Sequence, residues 1–205
     1  MNSKGNVPSA AKPVKDLGGL MRWRKYVKCH YSQKHYVFFI LALDTGIAPG
    51  KLLKLAWEQI ENQTIFDPVS GEQLEMTLVQ LSELAKADNK MLIKISDDDA
   101  QEIKQLRAAM ANDAYLFQTE TRRLSGIAQP WSQGYVTAFL KESAASSGLH
   151  EKVGFLTLQK TWGYQLAVRG NYTLSEIQRI LGQRSLAATR SYLNITAERN
   201  SFLSF

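Results

Sequence analysis

Apolar positions are sparse before residue 17. Residues 1–16, MNSKGNVPSAAKPVKD, carry Ser, Ala, Lys and Pro with little to pack, and they predict a disordered, mildly basic arm. In LGGLMRWRKYVKCHYS apolar and basic residues alternate, which predicts a helix, or a helix and turn, with one cationic side. QKHYVFFILALDTGI follows as a dense apolar run ending at Asp44-Thr45-Gly46, the pattern of a buried helix closed by glycine. PGKLLKLAWEQI predicts another helix. Pro49 suits its first position, and Leu52, Leu53, Leu55 and Trp57 supply an inward face.

The pattern changes over residues 64–96, where short apolar runs are broken by a Ser-Gly turn and by KADNK. Two or three antiparallel strands are predicted there, with a hairpin around Lys86 to Lys90. DDDAQEIKQLRAAMA then starts a helix, its acidic residues crowding the first turn where the helix dipole favours them. AYLFQT reads as a short buried element, and QPWSQGYVTAFLKESAASSGL as a helix closing near Gly148. Three more helices are predicted over residues 158–168, 173–181 and 185–193. No internal repeat is visible. The expected architecture is mainly α with a small antiparallel β-sheet (α+β), in one domain over residues 17–205.

Composition narrows the chemistry. With 205 residues, 44% hydrophobic and 21% charged, the chain can bury one good core. A net charge of +6 leans toward a polyanionic partner. Cys29 is the single cysteine, so neither an internal disulfide nor a cysteine-based zinc cluster can form. His30, His35 and His150 lack metal-ligand spacing, and no cofactor or metal is expected. No run approaches the ~20 apolar residues of a membrane span. The first residues lack the apolar core of a signal peptide, so a cytoplasmic protein without membrane contact is expected.

Five stretches taken together carry a resemblance. LALDTGIAPGKLLKLAWEQI, then AYLFQT with PWSQGYVTAFLKESAASSGL, then LQKTWGYQLAVRG, IQRILGQRS and TRSYLNI follow one another at suitable distances. Over about residues 33–196 this order resembles the catalytic domain of the tyrosine recombinases, the phage integrases and their relatives. In that family two arginines grip a scissile phosphate, helped by histidine-type groups and a hairpin lysine. A tyrosine attacks phosphorus and forms a 3′-phosphotyrosyl bond. Such a reaction depends on neutralising the non-bridging oxygens, which bidentate guanidiniums do best.

Carried over position by position, the resemblance puts the first arginine at Ala48 and its neighbouring acid at Lys51. The histidine falls on Leu156, the second arginine on Gln159, and the His or Trp after Leu-Gly on Gln183. Lys86 falls in the hairpin as the candidate general acid, and Tyr192 occupies the nucleophile position. Glutamine can hydrogen-bond a phosphate but cannot neutralise it. Removing one such donor costs about a hundred- to a thousandfold in rate, so ordinary recombinase activity is not expected. Ala48 and Leu156 read as fillers of the space that charged groups would occupy.

Lys51, Lys86, Lys90, Lys160, Arg184 and Arg190 are the candidate DNA contacts. The implied function is site-specific binding of double-stranded DNA by a protein of a mobile genetic element, in mobilisation, conjugative transfer or recombination. The chain is also compatible with the integrase-like atypical relaxases of genomic islands, which work with an auxiliary DNA-binding or mobilisation protein. In the family terminal segments often pack onto a neighbouring protomer, so the resemblance leaves Phe202, Leu203 and Phe205 either to self-association as a homo-oligomer or to docking on their own domain. The separate N-terminal domain usual in the family is not expected. Two rivals stay open: a strand-nicking and joining enzyme that uses Tyr192, and an interaction module that regulates an active recombinase.

Overall fold

The helix at the centre of the molecule is α2 (Gln33–Thr45), in which every residue from Val37 to Ala42 is fully buried. A helix apolar on all sides must be covered on all sides. The computed structural model, which describes residues 11–66, 73–80, 92–110, 114–119, 129–170 and 172–195, shows how this is done. The chain runs α1 (Leu17–His30), α2, α3 (Pro49–Leu52), a single 3-10 turn (Trp57–Gln59), β1 (Ile60–Phe66), β2 (Gln73–Gln80) and β3 (Leu92–Lys94). It continues through α4 (Asp97–Ala109), α5 (Gln133–Ser146), α6 (Thr157–Arg169), α7 (Leu174–Leu181) and α8 (Leu186–Leu193).

Helices α1, α4, α5 and α6 enclose α2. Asp16 starts α1 by accepting from the Gly18 and Gly19 amides. On α1, Trp23 is fully buried, meets Phe39 edge-on at 4.7 Å and donates its ring N–H to Ser143 Oγ of α5 at 2.9 Å. That one side chain ties three helices together. Ser96 caps α4, whose first turn carries Asp97, Asp98 and Asp99. Asp97 and Asp98 are exposed, whereas Asp99 turns inward to pair with Arg24 of α1.

The sheet is antiparallel in the order β1-β2-β3, with Ile60 opposite Val79 and Leu78 opposite Lys94. Its link from β2 to β3 carries Lys86 and Lys90, which lie outside the described residues, as does the tail 196–205. A second, smaller apolar cluster holds the C-terminal helices: Trp162 and Ala167 of α6, Ile177 of α7 and Leu193 of α8. Thr173 and Glu176 form a capping box at the start of α7, and Gly182 ends it in the left-handed conformation. Among the described residues no helix is long and apolar enough to cross a membrane.

The expected fold class, mainly α with a small antiparallel sheet, is what the structure shows. Three local expectations need correction. The helix predicted over PGKLLKLAWEQI stops at Leu52, because the Leu55 carbonyl accepts from the distant Leu116 amide at 3.0 Å and draws the chain out of helical geometry. The first strand begins at Ile60, not near residue 64.

Residues 11–16 are also not a free arm. Ala11 and Val14 are buried, and the Val14 amide donates to Thr161 Oγ1 at 2.9 Å. The Lys12 amide donates to the Lys152 carbonyl at 3.0 Å. Ala11, Pro13 and Val14 suffice to pack because α6 offers polar partners to the backbone of this stretch, which no local pattern could announce.

Candidate active site

The site is built where the ends of α2, α6 and α8 meet. Helix α2 ends at Gly46, with φ of 62°. A β-carbon at that position would lie 2.3 Å from the Trp162 ring, so only glycine allows α6 to approach this closely. The bend leaves the Gly46 carbonyl free to accept from Gln159 Nε2 at 2.9 Å. Gln159 is almost fully buried, and its Oε1 accepts from the Tyr192 hydroxyl at 2.6 Å. One amide thus links the first, third and last of the sequence words through a continuous chain: Tyr192 hydroxyl, Gln159, Gly46 carbonyl.

Tyr192 sits on α8, which Ser185 caps at its start and Asn194, with φ of 54°, closes. Its phenol is half-buried, and that burial pushes its pKa up to about 12. The phenolate is therefore about a hundredfold scarcer at neutral pH than for a free tyrosine. The hydroxyl also donates to an amide oxygen, which cannot take the proton away. Among the described residues the Tyr192 hydroxyl meets an amide acceptor and no base.

Ala48 stands two residues beyond Gly46 and precedes α3; its carbonyl accepts from the Lys51 and Leu52 amides. It offers the site a methyl group. Leu156 immediately precedes α6 and is likewise half-buried and apolar, its carbonyl held by the Lys160 amide at 3.0 Å. Gln183 follows Gly182, and its backbone pairs with Gln178 in both directions. Lys51 and Arg184 are exposed. Arg190 lies on α8, where its Nε is buried without a hydrogen-bond partner among the described residues. Lys86 and Lys90 cannot be placed against the site, since they lie outside the described residues.

Lys160 corrects an expectation. Read from sequence as a DNA contact, it is only 4% exposed. Its Nζ donates to the Ala11 carbonyl at 2.8 Å and lies 4.8 Å from the centre of the Tyr192 ring. Burial holds its pKa below the usual lysine value. The adjacent residue, Gln159, faces the hydroxyl of the same tyrosine.

A buried acid pair behind the site had no sequence signal. Asp44, in the last turn of α2, faces Asp99, and Arg24 pairs with Asp99 while donating from Nε to the Tyr36 hydroxyl at 3.1 Å. Burial, reinforced by the neighbouring Asp99 carboxylate, pushes Asp44 up to about 7. Asp44, Asp99 and Arg24 are scattered along the chain, and only the packing of α1, α2 and α4 brings them together.

A central buried helix, flanking helices, a small antiparallel sheet and a tyrosine on the last helix facing the start of α6 define the catalytic-domain fold of tyrosine recombinases. The chain belongs to the phage integrase family, whose profile matches residues 19–199. Among solved structures it is similar to XerA recombinase, at 15% identity and a TM-score of 0.67, covering 98% of this chain and 65% of that one. It is also similar to XerH site-specific recombinase bound to palindromic difH substrate in a post-cleavage complex, at 14% identity and a TM-score of 0.69, covering 100% of this chain and 55% of that one. The Tn1549 transposon integrase in complex with transposon right end DNA matches at 14% identity and a TM-score of 0.64, covering 98% and 67%. The chain thus spans little more than half to two thirds of these proteins, and at such identities the likeness is one of fold. No curated protein matches the chain by sequence.

Proposed function

We propose that this chain binds duplex DNA through the integrase fold and acts in DNA recombination, integration or the mobilisation of a mobile element without performing ordinary strand transfer. The observation that carries the reading is Gln159, a neutral amide whose two ends are already occupied by the Gly46 carbonyl and the Tyr192 hydroxyl. A residue so engaged presents no charge to a phosphate. Ala48 and Leu156 add none, and without guanidiniums at these three positions the developing charge of phosphoryl transfer is opposed far less. DNA binding itself is supported by the net charge of +6, by exposed Lys51 and Arg184, and by the solved DNA complexes of structural neighbours. Lys51, Lys86, Lys90, Arg184 and Arg190 are the proposed phosphate contacts.

A second reading is favoured by one specific observation, the position of the Tyr192 hydroxyl against α6. In that reading Tyr192 nicks one strand and holds it covalently, with Lys86 as the acid. Incubating the protein with supercoiled DNA from its own genetic neighbourhood, then stopping with detergent, separates the two. Site binding with no covalent adduct is the expected result. A protein–DNA adduct that disappears in Tyr192→Phe would overturn the leading reading in favour of the second. Absence of duplex binding at low salt would sink both and leave the interaction module, whose partner would be an active recombinase.

A further inference from the structure

We propose that Lys160 is a phosphate-binding cation beside Tyr192, stored beneath residues 11–16, and that lifting this strap delivers its ammonium to a DNA phosphodiester. The proposal rests on the DNA-binding reading above and assigns that site its missing charge.

Lys160 is an ammonium taken out of water with no counter-charge among the described residues. No carboxylate of the described residues lies within ion-pair distance of it. The Ala11 carbonyl takes one of its three protons, and the face of the Tyr192 ring covers it at 4.8 Å. Buried charges are ordinarily paired, and leaving one with a single carbonyl is expensive. An anion arriving beside Tyr192 would relieve that cost.

The cover is a thin one. Ala11 supplies the carbonyl over Lys160, the Val14 amide reaches Thr161 Oγ1, and Gln165 Nε2 donates to the Val14 carbonyl at 3.1 Å. Lys15 Nζ donates to the Asn194 carbonyl at the end of α8 at 2.9 Å, and lies 5.2 Å from the Tyr164 ring centre. The strap therefore bridges the helix that carries Lys160 and the helix that carries Tyr192. It is itself basic, with Lys12 and Lys15 exposed. A polyanion attracts those two lysines outward. Duplex binding and strap release thus pull in the same direction. The lysine stem is long enough to swing from a carbonyl on one side of the tyrosine ring to a phosphate beside it.

The test uses the full chain, wild type and strap-loosened (Thr161→Val with Gln165→Leu), each with and without Lys160→Met. Lys15→Ala serves as a milder loosening should the double variant melt early. The Lys160 side chain is first followed by NMR in protein alone. Its titration should move up toward that of an ordinary lysine in the loosened chain, and move further on adding inorganic phosphate. Duplex affinity is then measured against salt. In the loosened background Lys160→Met should reduce the slope of log K against log salt by about 0.9, the signature of one lost phosphate contact, with a smaller change in wild type. An unchanged slope in the loosened chain, with duplex still bound, would overturn the proposal. Should no variant bind duplex, the DNA reading fails instead, and a Lys160 titration indifferent to both loosening and inorganic phosphate would overturn the proposal separately.

Discussion

Replacing Gln159 with leucine removes both ends of the amide bridge while nearly preserving volume. The Gly46 carbonyl is buried and would lose its Gln159 donor, which costs about 1–3 kcal/mol. The Tyr192 hydroxyl is half-buried and can recover water, so its lost acceptor costs about 1 kcal/mol. Together the loss should be about 2–4 kcal/mol, and with roughly 2–4 °C per kcal/mol for a chain of this size Tm should fall by about 5–15 °C. Tyr192→Phe alone should cost about 1 kcal/mol, because Gln159 keeps its bond to Gly46. The double variant should then be more stable than the sum of the two losses predicts, by about 1 kcal/mol. Urea unfolding at pH 7 of the four proteins, checked by calorimetry, measures this. If Gln159→Leu changes stability by less than about 0.5 kcal/mol and adds simply to Tyr192→Phe, the bridge does not exist in solution and the argument that the amide is occupied falls with it.

Three other outcomes are expected. Gly46→Ala should cost about 3 kcal/mol or more, since φ of 62° is strained for alanine and its β-carbon would meet the Trp162 ring at 2.3 Å; a loss below 1 kcal/mol in chemical unfolding would refute the close approach. Ser143→Ala should cost about 1–3 kcal/mol by stranding the buried Trp23 ring N–H, whereas unchanged stability would mean that another acceptor replaces the hydroxyl. Asp44 is raised from 3.8 to about 7, so the folded state holds its proton more tightly than the unfolded chain. That contribution is complete below about pH 4 and is lost as pH rises to about 7. Asp44→Asn should abolish this decline and gain on the order of 2 kcal/mol at pH 8. A variant whose stability still falls between pH 4 and 7 as in wild type would place the titrating group elsewhere.

The order of elements was legible in the sequence because most of it is written locally. The apolar run of α2, Pro49 at the start of α3, the acidic first turn of α4 and the glycines that end α2 and α7 each act through neighbours a few residues away. The five sequence words, met in order, pointed to the fold and to the positions, Tyr192 and Gln159 among them, that correspond to the family's reactive residues. Local pattern failed where distant partners intervene. Leu116 takes the Leu55 carbonyl and ends a helix that leucine spacing would have continued. Thr161, Lys160 and Gln165 give residues 11–16 a docking site that their composition does not suggest.

Chemistry divides in the same way. Sequence alone determined that Ala48, Leu156 and Gln159, where the resemblance puts the recombinase arginines and histidine, carry no charge. Only the tertiary structure decided that Gln159 is spent on Gly46 and Tyr192, that Asp44 and Asp99 share a buried corner with Arg24, and that Lys160 faces inward. A side chain's charge is a property of its residue type. Its burial, its partners and therefore its pKa depend on atoms more than a hundred positions away, as with Lys160 and Ala11, separated by 149 residues. Those contacts exist only once the chain has closed on itself.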